Sequence, residues 1–311
     1  MDGEMTLKVL LAIGQTFLFF GVGALAVKLK YFEAGDVTRL GNFTMDVIFP
    51  FCGFASVFRG MGGADPMAVW LPPVLAFSIM AFNALLGLGL QYGLKNRSEA
   101  RLKAFRQMAA INNYLFLPLI IVESLYGSAG SGCLMLFSVG STVGFWTVGI
   151  WVMSGFRLDR ETVKNLFTSN LVAVMLAVIL VLLKIPLPAK AVDMADAIGR
   201  IGTPLMLVLT GSSLALSGAK LFHEGRDAVW GLLCRLLIIP AFTVAALKFL
   251  PMPGMVRNVA FILALMPTSC ASVIIVNRYR GDVDYSGQQL LLSTFVSPLT
   301  IMGFLYLSTL F

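Results

Sequence analysis

Apolar residues fill the chain in long blocks, broken by short polar stretches. The blocks cover residues 6–27, 40–58, 67–94, 106–126, 131–154, 166–183, 195–217, 228–250, 257–277 and 287–310. Most match the roughly 20 apolar residues that a helix needs to cross a bilayer. The pattern predicts an all-α polytopic membrane protein with ten transmembrane helices and short loops. The first block is too long for a signal peptide, lacks a basic start, and is followed by nine more spans, so it reads as a helix.

Composition removes the main alternatives. Of 311 residues, 58% are hydrophobic and only 13% charged, against about 25% charged in soluble domains. An ordinary soluble enzyme, a disordered chain and a disulfide-rich secreted module are all excluded. Cys52, Cys133, Cys234 and Cys270 are scattered through apolar blocks and read as small buried hydrophobes. With His223 the single histidine, no metal site or other cofactor is expected. The net charge of +7 forms no dense basic stripe, so nucleic acid is not an expected partner. Gly127–Gly132 (GSAGSG) reads as a short outer loop, since it lacks the lysine and strand of a phosphate loop.

The basic residues instead set topology. Of the 23 Lys and Arg, 15 fall in the gaps after spans one, three, five, seven and nine. The opposite face holds six (Lys8, Arg59, Lys184, Lys190, Lys248 and Arg257), and Arg200 and Arg235 lie within spans. The richer face is cytoplasmic, which puts both termini on the extracytoplasmic side of the cell (inner) membrane. The most basic connector, Lys95–Arg106, reads as a topology determinant, with lipid binding as a second reading.

Landmarks recur at one spacing. Pro50 in span two and Pro204 in span seven are 154 residues apart, as are Ile120-Ile121-Val122 and Ile274-Ile275-Val276, and Gly127 and Gly281. The chain divides into residues 1–154 and 155–311, two five-helix repeats. An odd number of spans inverts the second copy, a recurring design of secondary transporters with the substrate held near the midplane. At the same spacing, Asn112-Asn113 in span four matches Met266-Pro267 in span nine. Pro267 removes a backbone donor mid-span, and Thr268, Ser269 and Ser272 follow it. Both spans read as broken crossover helices whose half-helix N-termini would hold an anion. The expected helix breaks are Pro50, Pro118, Pro204 and Pro267. The expected substrate-binding residues are Asn112, Asn113, Met266, Pro267 and Thr268.

Charges inside the membrane are costly and usually face a partner or a cavity. Asp46 and Arg200 each stand four residues before a repeat-related proline. They read either as an ion pair or as separate coupling groups, and Arg235 in span eight is a third candidate. Glu123 is expected near the outer interface. Gln15, Asn83, Asn170, Gln288 and Gln289 read as interhelical hydrogen-bonding groups.

At these positions the sequence resembles the auxin efflux carrier family. The similar stretches are Asn113–Gly127 (NYLFLPLIIVESLYG), Met266–Asp282 (MPTSCASVIIVNRYRGD), Pro204-Leu205 with Gly211 and Leu214, and Arg235-Leu236-Leu237 with Pro240. Pro118 is displaced from the family's Gly-x-Pro, Asp46 replaces a frequent asparagine, and Asn165-Leu166 replaces an Asn-Pro. The absence of the long loop of plant carriers looks like a bacterial member. The resemblance implies a fold shared with the bile acid symporters and a homodimeric carrier of small organic anions, working by an elevator-like motion. Spans one, two, six and seven would form the scaffold, and spans three to five and eight to ten would move, with Asn113 and Pro267 lining the site. Two rivals stand beside this reading: a sodium-coupled symporter of the bile acid type, and a non-transporting membrane receptor or scaffold.

Overall fold

A computed structural model describes residues 3–60, 66–154, 167–216 and 225–308. The outermost ends of the expected sixth, seventh and tenth spans, His223 and Asn165-Leu166 lie outside the described residues, as does the side chain of Cys270. The described chain is helical, with one isolated backbone bridge and no strand.

The helices are α1 (Gly3–Lys28), α2 (Ala34–Phe43), α3 (Phe49–Gly60), α4 (Pro66–Leu90), α5 (Glu99–Ala110), α6 (Phe116–Gly144), α7 (Ile150–Ser154), α8 (Ser169–Leu182), α9 (Ala189–Gly199), α10 (Gly202–Leu216), α11 (Gly225–Leu233), α12 (Ile239–Lys248), α13 (Gly254–Ala264), α14 (Cys270–Arg278) and α15 (Val283–Ser308). Wide π turns join α2 to α3, α6 to α7 and α11 to α12. The first, Thr44–Ile48, and the third, Cys234–Ile238, lie just before Pro50 and Pro240. A proline lacks the N–H that its i−4 carbonyl needs and its ring presses on that carbonyl. Widening the turn accommodates it without ending the helix.

Among the described residues, six helical stretches are long and apolar enough to cross a membrane, and α8 and α13 are shorter apolar helices. One of the six, Phe116–Ser154, is not straight. Gly127 has φ 60° and ψ −149°, a conformation open essentially to glycine. A Cβ placed on Gly130 would lie 2.8 Å from Val122 Cγ1. Residues eight apart in a straight helix are about 12 Å apart along its axis, so the chain folds back on itself at Gly127. The expected loop at 127–132 is thus one glycine, and helix resumes at Ser128 because only a single residue need leave helical geometry to reverse the chain.

α1 lies along α10, while α3 packs on α8 and α9. Gly23 and Gly211 bring α1 and α10 into backbone contact, since a Cβ on Gly23 would fall 1.9 Å from Val208 O. α4 packs on α5 and α6, and α15 packs on α5, α11 and α14. α6 also packs against α3, about as closely as α8 does, and against α1. The main apolar core runs through α1, α3, α4, α6, α8 and α13. Leucines and valines on the outer faces of α1 and α8 are exposed, Leu18 by 67% and Val172 by 56%, as a lipid-facing surface requires.

Candidate functional site

Two helical lines unwind and meet. Residues 111–115 separate α5 from α6, and residues 265–269 separate α13 from α14. The two segments begin 154 residues apart. They form an antiparallel bridge at Asn112 and Thr268, in which Asn113 N–H donates to Pro267 O at 2.7 Å.

Local chemistry explains why both lines stay open. In a continuous helix the N–H of residue 267 would bond Leu263 O, but proline has none. Asn112 Nδ2 donates to that carbonyl at 2.6 Å. Asn113 N–H, which would have bonded Ala109 O, is diverted to Pro267 O, and Arg235 Nη1 fills the vacancy at Ala109 O at 2.9 Å. Ala109 and Leu263 are again 154 residues apart. Arg235 also donates to Met266 O from Nε at 3.2 Å and from Nη2 at 2.7 Å. This guanidinium, 1% exposed, therefore caps the negative C-terminal ends of α5 and α13 at once. Thr268 is fixed from α15, its Oγ1 lying 2.9 Å from Ser293 Oγ.

The expected site residues thus differ in what they have left to offer. Asn112, Met266, Pro267 and Thr268 are buried and take part in the bridge or its supports. Asn113 is half-buried; its Oδ1 accepts from Leu115 N–H at 3.4 Å, and its Nδ2 has no partner among the described residues. The first turns of α6 and α14 begin beside it, with their N–H groups directed at the crossing. No acidic residue occurs in 111–122 or 265–281. With the negative helix ends capped by Arg235, neither segment itself supplies a countercharge to the positive ends.

The other expected breaks lie elsewhere. Pro118 and Pro204 sit in the first turns of α6 and α10, where a missing N–H costs little. Pro50 follows the π turn in a continuous helical stretch.

Asp46 and Arg200 are not brought together. Asp46 is exposed on the π turn. Arg200 Nε donates instead to Asp196 at 2.8 Å, one helical turn away, and Asp196 with Asp193 also binds Arg59. Arg200 lines a cavity of about 340 Å³ together with Gln15, Ser56, Glu123, Ser124 and Thr203. Its walls come from α1, α3, α9, α10 and the first part of α6. Among the interhelical amides, Asn83 accepts from Thr243 at 2.8 Å and Gln289 donates to Ala228 O at 2.8 Å.

One buried ionic cluster had no signature in the sequence. Arg101, 2% exposed, donates to Asp282 at 2.9 Å and Asp227 at 3.4 Å, with its guanidinium 4.4 Å from the Tyr285 ring centre. Asp227 in turn accepts from Lys95 N–H and Asn96 N–H. The cluster ties α5, α11 and the turn before α15 together. Its members are 126 and 181 residues apart, so no local spacing could reveal it.

No curated protein matches the chain. The family model described as "Membrane transport protein" matches residues 8–162 and 158–305, nearly the whole length and both halves. The chain therefore belongs to the membrane transport protein family, that of the auxin efflux carriers, and is a multi-pass membrane transporter rather than an enzyme.

Proposed function

We propose that the protein is a carrier that moves a small organic anion, most simply a carboxylate, across the membrane by alternating access. In this reading the chain crosses the membrane ten times as two inverted five-helix repeats, residues 1–154 and 155–311. The common spacing of the unwound segments, of Ala109 and Leu263 beneath them, and of Gly127 and Gly281 beyond them supports the repeat. The fold-back at Gly127 supports counting Phe116–Ser154 as two spans. Both termini face outside and Lys95–Arg106 faces the cytoplasm.

In this reading α1–α3 and α8–α10 form a fixed scaffold, and α4–α7 and α11–α15 form a moving body. The cavity carrying Arg200 and Glu123 lies between them, where an elevator-like motion would open and close. The carrier acts as a homodimer in the bilayer.

One observation carries the reading of the substrate: Asn113 Nδ2, without a partner among the described residues, lies beside two helix N-termini whose own segments carry no acidic residue. Such a place favours a bound anion. The test is a melting-temperature screen of small mono- and dicarboxylates on the purified protein, since a ligand of the folded state raises its stability. The best ligand is then titrated against two variants. Losing one hydrogen bond to a charged group costs about 1.5–3 kcal/mol, roughly ten- to hundred-fold in affinity. Asn113→Ala should weaken binding by that factor and melt near the wild-type temperature. Asn112→Ala should lower the melting temperature, because Leu263 O loses its side-chain donor. Equal binding by Asn113→Ala and wild type would remove the crossing as the anion site.

A further inference from the structure

A second cavity, of about 540 Å³, lies away from the crossing between the ends of α4 and α7 and the start of α5. Lys103 and Arg106 of α5 line it on one side, Leu88, Trp151 and Met153 on the other, with Glu99 at its edge. The apolar helix α4 ends here at Leu90 and α5 begins with a charged first turn at Glu99, which sets the cavity at the level of a bilayer surface. Leu85, less than one turn before Leu88 on α4, is 60% exposed and continues the apolar wall toward the hydrocarbon.

The basic groups are held in place. Gln91 is buried; its Nε2 donates to Leu88 O at 2.7 Å, and its Oε1 accepts from Arg106 Nε at 2.7 Å. The two terminal amino groups of Arg106 have no partner among the described residues. Lys103 Nζ lies 2.8 Å from Glu99 Oε1, whose side chain is 83% exposed. The bond to Lys103 holds the Glu99 carboxyl below the usual carboxylate range. An arginine that served only to set topology would need no buried glutamine to orient it.

We propose that this cavity binds the phosphodiester headgroup of an anionic membrane lipid. Arg106 and Lys103 take the phosphate, Trp151 lies at the headgroup level as interfacial tryptophans do, and the acyl chains run along Leu85 and Leu88. Basic pockets between membrane helices are suited to such headgroups. Free phosphate shares the charge but gains nothing from the apolar wall.

The test uses purified, delipidated protein and its melting temperature, titrated separately with phosphatidylglycerol, phosphatidylcholine and inorganic phosphate. Phosphatidylglycerol should stabilise the protein saturably at concentrations where the other two do not. Lys103→Gln and Arg106→Gln should each raise the midpoint about five-fold. Glu99→Gln should lower it, because Lys103 is then released to the lipid. That opposite sign tests the site even if Arg106→Gln fails to fold. Equal effects of the two lipids, inorganic phosphate reproducing the phosphatidylglycerol effect, or midpoints unmoved by Lys103→Gln and Glu99→Gln would each overturn the assignment.

Discussion

Replacing Arg235 by methionine tests whether this cation holds the crossing together. The substitution keeps most of the side-chain length but removes three hydrogen bonds to Ala109 O and Met266 O. Each bond from a charged donor is worth about 1.5–3 kcal/mol, so the gross loss is roughly 4.5–9 kcal/mol. Opposing it, a charge no longer has to enter the bilayer, which returns about 2.5–3.5 kcal/mol on insertion scales. The hydrogen-bond term wins, and Arg235→Met should lose roughly 1–6.5 kcal/mol. Arg235→Lys keeps the charge, but a single ammonium lacks the planar fork that serves two carbonyls from different helices, so it should fall between. The assay is equilibrium unfolding in mixed detergent micelles, with transport in proteoliposomes alongside. Wild-type stability in Arg235→Met would refute the argument, since it would mean that the ends of α5 and α13 need no countercharge. Greater stability would show that desolvation of the charge outweighs all three bonds.

Two further expectations follow from the fold. Arg101→Ala leaves Asp227 and Asp282 without their shared cation and should cost about 3–5 kcal/mol, while Asp282→Asn, at the more exposed end of the cluster, should cost less; equal stability of Arg101→Ala and wild type would show that the cluster is not a strut. In a cysteine-free background, a membrane-impermeant thiol reagent applied to intact cells should label Ser128→Cys and spare Lys95→Cys, and the reverse pattern would invert the proposed topology.

Much of this protein is written in one dimension. The helical, membrane-embedded character follows from long apolar blocks and sparse charge, because a bilayer selects on local composition and leaves the backbone few ways to satisfy itself. The missing donor at Pro267 is also a local matter, but Pro72, Pro73 and Pro298 lie inside continuous helices, so the opening at residues 265–269 needs the partners that the fold brings to it. The motifs that resemble the auxin efflux carriers are contiguous, and the family model finds the same relationship. Charge partners are different. Arg200 and Asp46 stand at matching places in sequence, yet Arg200 bonds Asp196 because that carboxylate is one helical turn away while Asp46 faces outward from a π turn. The division of labour between Asn112 and Asn113 was equally hidden. Adjacent residues point in different directions once the chain unwinds, so one amide bonds the Leu263 carbonyl and the other keeps a donor without a partner among the described residues. Arg235 and Arg101 found their roles only through carbonyls and carboxylates more than 30 and 120 residues away. Periodicity reports which face of a helix is apolar, whereas a polar bond depends on two side chains meeting within about 3 Å, and only the tertiary fold sets that distance.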